Sequence, residues 1–578
     1  MTFILPGDPV LPYLPGGSPD PLLYQQIVDQ LGLNDPLILR FFRYIADMLT
    51  GQWGISSAIA SGAPVNTLIF SRIGRSIDLI LLPLIVGLVL GFLFGNLSIK
   101  FRSKLANRII QISTLTALAI PIFVLGMLQQ YVFSYQLGIF PLSGYKSVEY
   151  SAPPQITGFY ILDSIFSGDL YLIPDYLYHL IMPWTFLIIA ITPLITLMTR
   201  SYLLNKGDNR NVVTNTLNFG IAFGIIYTFS VLVEIVFQFS GINQMIITAF
   251  KTADYYVINA LIFLSLLIFV FLMHIANLLF TGYGALKDKG KFQFTKNQIN
   301  SEKNDIKEEN DFKSFNEDEM ESNPFSKAKM SENGEYLRKR ILSPYLLIGI
   351  SILVFVIIVT IAPQIFSPYT YAELNGLFSG TWQPPSSSHP LGTTEFGRDV
   401  LGRILFGISN SVIVGGQSLL IALAGGLLIG IPMNLINKRL QISSEILLIG
   451  FYLFPMSLMI MWVIFSYLAF NNLIFGVLMI PIFAQILAKT EFDLAELTKK
   501  LLIYTPLIFG FIILLYNGLG FLGLSDPSQI QLGIDIDVAS NHLNDAPWAA
   551  FFPGLFLFII IFGVFLIYAG LQKTPQEY

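Results

Sequence analysis

Residues 549–571 contain no charged side chain, and comparably apolar runs recur at about 77–98, 107–136, 180–199, 212–238, 256–282, 343–366, 407–436, 444–469, 472–488 and 501–524. A helix needs about 20 predominantly apolar residues to cross a bilayer, because lipid offers no partner to exposed backbone groups. The eleven runs therefore predict an all-α polytopic membrane protein with about eleven transmembrane helices. Composition agrees: 54% of the residues are apolar and 12% charged, against roughly 25% charged in a soluble domain.

Other classes are excluded by what is missing. A net charge of −4 and the lack of a dense basic stripe argue against a nucleic-acid partner. With no cysteine there are no disulfides, zinc–thiolate sites or thiol chemistry. His179, His274, His389 and His542 are scattered without ligand spacing, so no metal site is expected. No Walker A pattern or nucleophile–base constellation occurs, so the chain is expected not to be an enzyme, and any ATP dependence must come from a partner.

The polar stretches between the runs organise the chain. Residues 1–76 are turn-rich, with short helices expected at Tyr24–Leu31 and Pro36–Leu49. Residues 284–341 are rich in Lys, Glu, Asp, Asn and Ser, too polar to bury a core, and read as a disordered linker between 77–283 and 342–578. Pro121 should kink the second run, because it removes a backbone donor.

Lysine and arginine in short loops assign sidedness. Lys100, Arg102 and Lys104, then Arg200, Lys206 and Arg210, then Lys438, Arg439, Lys489, Lys499 and Lys500 share one side with the linker. Residues 525–548 hold no Lys or Arg on the other. The linker and C-terminus are thus expected to be cytoplasmic in a plasma-membrane protein, and eleven spans place Met1 outside.

One polar stretch stands out. Residues 389–403 read His-Pro-Leu-Gly-Thr-Thr-Glu-Phe-Gly-Arg-Asp-Val-Leu-Gly-Arg. Pro390 and Gly392 favour a turn, Thr393 or Thr394 can cap a helix, and Glu395 would lie near its start. Leu391, Val400, Leu401 and Ile404 give the stretch an apolar side suited to a membrane surface. The simplest reading is an amphipathic connector in an external loop at 367–406.

The same stretch resembles a signature of the C-type permease subunit of dipeptide, oligopeptide and nickel ABC importers. Gly-Leu-Gly-Phe-Leu-Gly-Leu at 518–524 and Ala-Pro-Trp-Ala-Ala-Phe-Phe-Pro-Gly at 546–554 resemble motifs of that subunit too. Leu-Pro-Gly-Asp-Pro at 5–9, Leu-Gly-Ile-Phe-Pro-Leu-Ser-Gly at 137–144 and Val-Glu-Ile-Val-Phe at 233–237 resemble the B-type subunit of the same importers. The chain thus looks like a B-type and a C-type permease fused head to tail. B-type subunits have one more span before the Leu-Pro-Gly-Asp-Pro element, so translation is expected to start upstream of Met1, the alternative being that the helix is lost.

The resemblance implies two transmembrane domains enclosing one path, an extracytoplasmic solute-binding protein, and separate ATPase subunits docked from the cytoplasm. It implies an external gate or docking role for His389, Pro390, Leu391, Gly392, Thr393, Glu395, Gly397, Arg398 and Asp399, with Arg398 and Asp399 pairing with each other or with partner groups. No cofactor belongs to the chain itself; ATP would act through the partners.

The chain departs from the pattern in its cytoplasmic loops. Family permeases carry an Ala-Arg-Ala-x-Gly-like coupling core there; the segments at 199–210 and 488–500 lack it and are shorter. Arg200, Lys206, Arg210, Glu491, Phe492, Asp493, Leu494, Glu496 and Lys499 are the remaining candidates for ATPase contact, the second group on a short amphipathic helix. Of the polar residues in apolar runs, Asp78 and Glu445 fit helix-end roles, and Glu234 is the candidate for lining the path. The shortened loops keep two other readings open: a permease-derived scaffold without ATP coupling, and an ion-coupled carrier.

Overall fold

The computed structural model describes residues 21–30, 32–100, 104–204, 229–265, 343–435, 471–488 and 494–572, with a few isolated positions besides. The linker at 284–341 and the run at 444–469 lie outside the described residues, as do most of 212–228 within the run at 212–238 and most of 266–282 within the run at 256–282, together with Lys206, Arg210, Glu445, Glu491, Phe492 and Asp493.

Among the described residues the secondary structure is helical apart from two isolated bridges, Ile55 with Pro64 and Thr393 with Asp399. The N-terminal half contains α1 (Pro21–Gln30), α2 (Leu37–Thr50), α3 (Val65–Lys100), α4 (Lys104–Ala119), α5 (Ile122–Gln129), α6 (Tyr160–Ser167) and α7 (Leu172–Leu204). It ends with the short α8 (Ile242–Lys251) and the apolar α9 (Tyr255–Ser265). The C-terminal half contains α10 (Pro344–Ile361), α11 (Val400–Leu435), α12 (Asn471–Ala488), α13 (Leu494–Phe521), α14 (Leu532–Ser540) and α15 (Pro547–Gln572).

Six described helices are long and apolar enough to cross a membrane: those at Val65–Ser98, Leu172–Arg200, Pro344–Ile361, Val400–Met433, Glu496–Phe521 and Pro547–Leu571. A seventh results if one sharply bent helix pair is counted as a single broken span. Ile112–Ala119 and Ile122–Gln136 meet at 87°, where Pro121 supplies no backbone donor. The expected kink is there, and it turns α5 nearly at right angles to α4.

Helix packing in the N-terminal half follows small residues. Gly87, Gly91 and Gly95 form one stripe of α3 that lies on Ile191, Ile195 and Thr199 of α7. A Cβ at Gly91 would come within 2.5 Å of Ile195 Cβ, so the backbones approach as closely as glycine allows. The C-terminal half repeats the device where Gly425 and Gly430 of α11 meet Ile480 and Ala484 of α12.

The two halves share one core. Phe123 on α5 stacks on Phe521 at the end of α13, with centroids 4.7 Å apart. Tyr131 meets Phe551 of α15 edge to face at 5.3 Å, and Val124 packs where a side chain on Gly554 would otherwise sit. The broken span therefore builds the contact between the halves.

Two sequence expectations need correction. The helix that carries the apolar run at 77–98 already begins at Val65, so Asp78 lies well inside α3, where Tyr176 Oη donates to its carboxylate at 3.1 Å. It is not at a helix end. Residues 494–500 form no separate amphipathic helix; they are the first turns of α13, which runs unbroken into the span.

Candidate functional site

The stretch at 389–403 folds into a closed clasp over the N-terminus of α11. Gly392 and Gly397 have φ of +80° and +69°, a region that side-chain-bearing residues rarely adopt. Their turns fold the chain back so that Thr393 bridges to Asp399. A Cβ on Gly397 would lie 2.8 Å from Phe378 O, and one on Gly392 would run into the Trp548 ring.

Helix α11 therefore starts at Val400, and Asp399 caps it, accepting from Gly402 N at 2.7 Å. Thr393 and Thr394 are not the caps, because the bridge and the turn at 394–397 hold them outside the helix. Thr393 Oγ1 instead donates to Gly380 O and accepts from Gln383 N, both at 2.7 Å, fastening the preceding loop. Glu395 sits half-buried in the turn, Leu391 packs against the core, and Pro390 is exposed.

The neighbours Arg398 and Asp399 do not pair with each other. Extended backbone sends them to opposite sides. Arg398 donates to Gly376 O at 2.7 Å and Asn375 O at 2.9 Å, with its guanidinium 4.6 Å from the Phe396 ring. Burial and the nearby Arg403 lower its pKa, with Asp535 and Glu395 opposing. Asp399 is 3.0 Å from His389 Nδ1, and the His389 ring stacks on Tyr369.

Arg403 closes the assembly. Its guanidinium binds Asp535 Oδ1 of α14 at 2.5 and 2.9 Å, and donates to Leu374 O at 2.8 Å. Both side chains are buried. Trp548 Nε1 reaches Thr393 O at 3.4 Å from the start of α15, and Trp382 packs on His542. Asp535 and Trp548 stand far from the clasp in sequence, so their roles were not legible, although Trp548 belongs to a motif already noted.

Glu234 lies in a second closed network. It is fully buried, and its Oε1 accepts from Ser76 Oγ at 2.6 Å and Asn243 Nδ2 at 2.8 Å. Oε2 accepts from Gln244 N at 2.9 Å, and Ser76 Oγ also accepts from Ile242 N. A carboxylate and a hydroxyl thus take up first-turn donors of α8, where a helix favours negative charge. Gly241 leaves room for this: a Cβ there would collide with Glu234 and Ser76.

At its other end α8 reaches the C-terminal half. Lys251 Nζ and Asp537 Oδ2 approach the same point, 2.8 and 3.7 Å from where a Cβ on Gly523 would stand. Burial pushes the Asp537 carboxyl up to about 6, with Lys251 opposing the shift. Helix α8 thus has Glu234 at its start and Lys251 near Asp537 at its end, and α14 carries both Asp537 and the Asp535 that binds Arg403.

At the opposite end of the bundle, Arg200 Nη1 donates to Ser98 O and Glu496 pairs with Lys500 at 2.9 Å. Leu494 opens α13, and Lys499 lies in its second turn.

Fold and site together define a polytopic, all-α integral membrane protein whose two halves meet beneath a polar clasp. Its homologues are permease subunits of peptide and glutathione transport systems. The chain is 26% identical over 278 residues to the probable D,D-dipeptide transport system permease protein DdpB of Escherichia coli, which covers 44% of this chain and 81% of the relative. It is 28% identical over 302 residues to the oligopeptide transport system permease protein AppB of Bacillus subtilis, covering 48% and 88%. The glutathione transport system permease protein GsiC of Salmonella paratyphi A is 27% identical over 284 residues, covering 48% and 88%. Each relative is thus matched nearly whole by about half of this chain, consistent with a fusion of two permeases. No protein-family model matches the chain.

Proposed function

We propose that the chain is the transmembrane permease component of an ABC importer for peptides or related small solutes, both halves supplied by one polypeptide. The observation that carries this reading is the shared core: α5 of one half packs on α13 and α15 of the other at the clasp end. Fusion of the halves fixes their ratio and raises their effective concentration.

In this reading the clasp end is external and the Phe123–Phe521 contact is the closed outer gate. A solute-binding protein docks on the clasp. ATPase subunits engage the opposite end near Arg200, Lys206, Arg210, Glu491, Phe492, Asp493, Leu494, Glu496 and Lys499. ATP binding there favours the outward-open packing, in which the halves part at α5; hydrolysis returns the closed one. Glu234 holds α8 in register with the gate and borders the path through that helix rather than through a free carboxylate.

A mild-detergent pull-down of the full chain from its native membrane tests the reading. A P-loop ATPase should copurify, and recovery should fall when Glu496 and Lys499 are both replaced by alanine. An intact, folded chain that repeatedly brings down no ATPase would overturn the importer and favour a scaffold without ATP coupling.

A further inference from the structure

Helix α2 is unusual among the short helices in having three distinct sides. Tyr44 and Met48 face the protein: Met48 is buried, and Tyr44 Oη donates to Asn259 O at 3.0 Å, in the second turn of α9. Tyr44 also meets Phe263 edge to face at 6.5 Å, another turn further along. Arg40, Arg43 and Asp47 form a polar side, where Arg43 pairs with Asp35 at 2.6 Å and Arg40 donates to Leu33 O. The third side is apolar and uncovered. Ile38, Phe41, Phe42, Ile45 and Leu49 fall at helical spacing on one stripe, and Ile38, Phe42 and Leu49 are 71, 64 and 69% exposed.

Water is a poor neighbour for such a stripe. Large apolar side chains gain free energy when they leave water for an apolar medium. The surroundings identify what covers it. Gly51 ends α2 in a left-handed turn, and Trp53 then stacks on Phe70 of α3 at 5.6 Å. Phe70 is itself half exposed and begins the outer stripe of α3 that continues through Ile77, Leu81, Ile85 and Phe92. That stripe belongs to a helix that crosses the bilayer, so it faces lipid. Trp53, whose indole N–H donates to Met48 O at the end of α2, thus ties that helix to the start of the lipid-facing stripe.

The geometry points to α2 as an interfacial helix, lying in the membrane–water boundary beside the starts of α3 and α9 with Ile38, Phe41, Phe42 and Leu49 among the acyl chains. Its polar side then faces the headgroups and water, the arrangement in which an amphipathic helix gains from both media. The partner is the lipid bilayer, held through apolar contact: Arg40 and Arg43 are engaged by Leu33 O and Asp35, so a strong preference for anionic lipid is not required. The proposal holds whether or not the chain transports.

The native absence of cysteine allows a direct test. Single variants F42C, I38C and R43C of the full chain are spin-labelled and reconstituted in zwitterionic vesicles, and relaxation by oxygen is compared with relaxation by a water-soluble nickel chelate. Oxygen should dominate at positions 42 and 38, the nickel chelate at position 43. Nickel-chelate dominance at position 42 would place α2 in water, and an immobile label shielded from both would place protein over the stripe. Either result overturns the proposal.

Discussion

The ring of Phe123 lies parallel to that of Phe521, at an interplanar angle of 14° and a centroid separation of 4.7 Å, and joins the two halves of the chain. Aromatic pairs of this kind contribute about 0.5–1.5 kcal/mol beyond their buried area. Phe123 lies two residues beyond the break at Pro121, on the helix that the break turns away from α4. A double-mutant cycle with F123A and F521A should show coupling in that range when thermal stability is followed in detergent; strictly additive effects would mean the rings merely adjoin.

Arg403 and Asp535 form a buried pair between α11 and α14. Removing one partner leaves an uncompensated charge, a change that costs about 3–5 kcal/mol. R403M alone and D535L alone should each lower the melting temperature strongly, while the double variant recovers much of the loss. Melting curves of the three purified variants check this.

Glu234 is expected to act as an anchor for α8. E234A removes the acceptor for two side chains and the Gln244 amide, at about 1–3 kcal/mol for each buried donor left unsatisfied. E234Q keeps one carbonyl and should fall between E234A and the parent in stability, with the solute preference of transport unchanged. A switch in solute preference at full stability would instead make Glu234 a path-lining group.

Burial raises the Asp537 carboxyl to about 6, above the ordinary value near 4. The folded state therefore holds this proton more tightly than the unfolded chain, and linkage makes stability fall as pH rises between about 4 and 6. D537N should flatten that part of the stability–pH curve, read as melting temperature across the window.

Gly91 lies where α3 and α7 touch. A G91I substitution forces side-chain atoms into Ile195, and overpacking of this kind costs about 1–3 kcal/mol or more. Reduced yield of folded protein, with a milder effect for G91A, is the expected outcome by fluorescence-detected size-exclusion chromatography.

Most of the described spans were legible because long apolar runs leave a chain little choice in lipid. The start of α3 was not. Asn66, Ser71, Arg72, Arg75 and Asp78 interrupt its hydropathy, yet packing against α7 and the 229–244 region keeps the helix intact from Val65. The clasp was legible as a motif but not as a shape. Its turns depend on Gly392 and Gly397, visible in sequence, but its closure depends on Asp535 and Trp548, more than a hundred residues away. The α3 glycine stripe at 87, 91 and 95 has regular helical spacing, but its role follows only from the close approach of α7.

The most direct test of the account is a cysteine pair at positions 123 and 521, introduced into a chain that has no other cysteine. After reconstitution with the ATPase recovered in the pull-down, the F123C/F521C variant is joined by a short bifunctional thiol reagent that a reductant cleaves. If the halves must part at this contact for solute to enter, joining them abolishes ATP-dependent uptake and reduction restores it. Full uptake with the pair verified as joined would contradict an outer gate at Phe123 and Phe521.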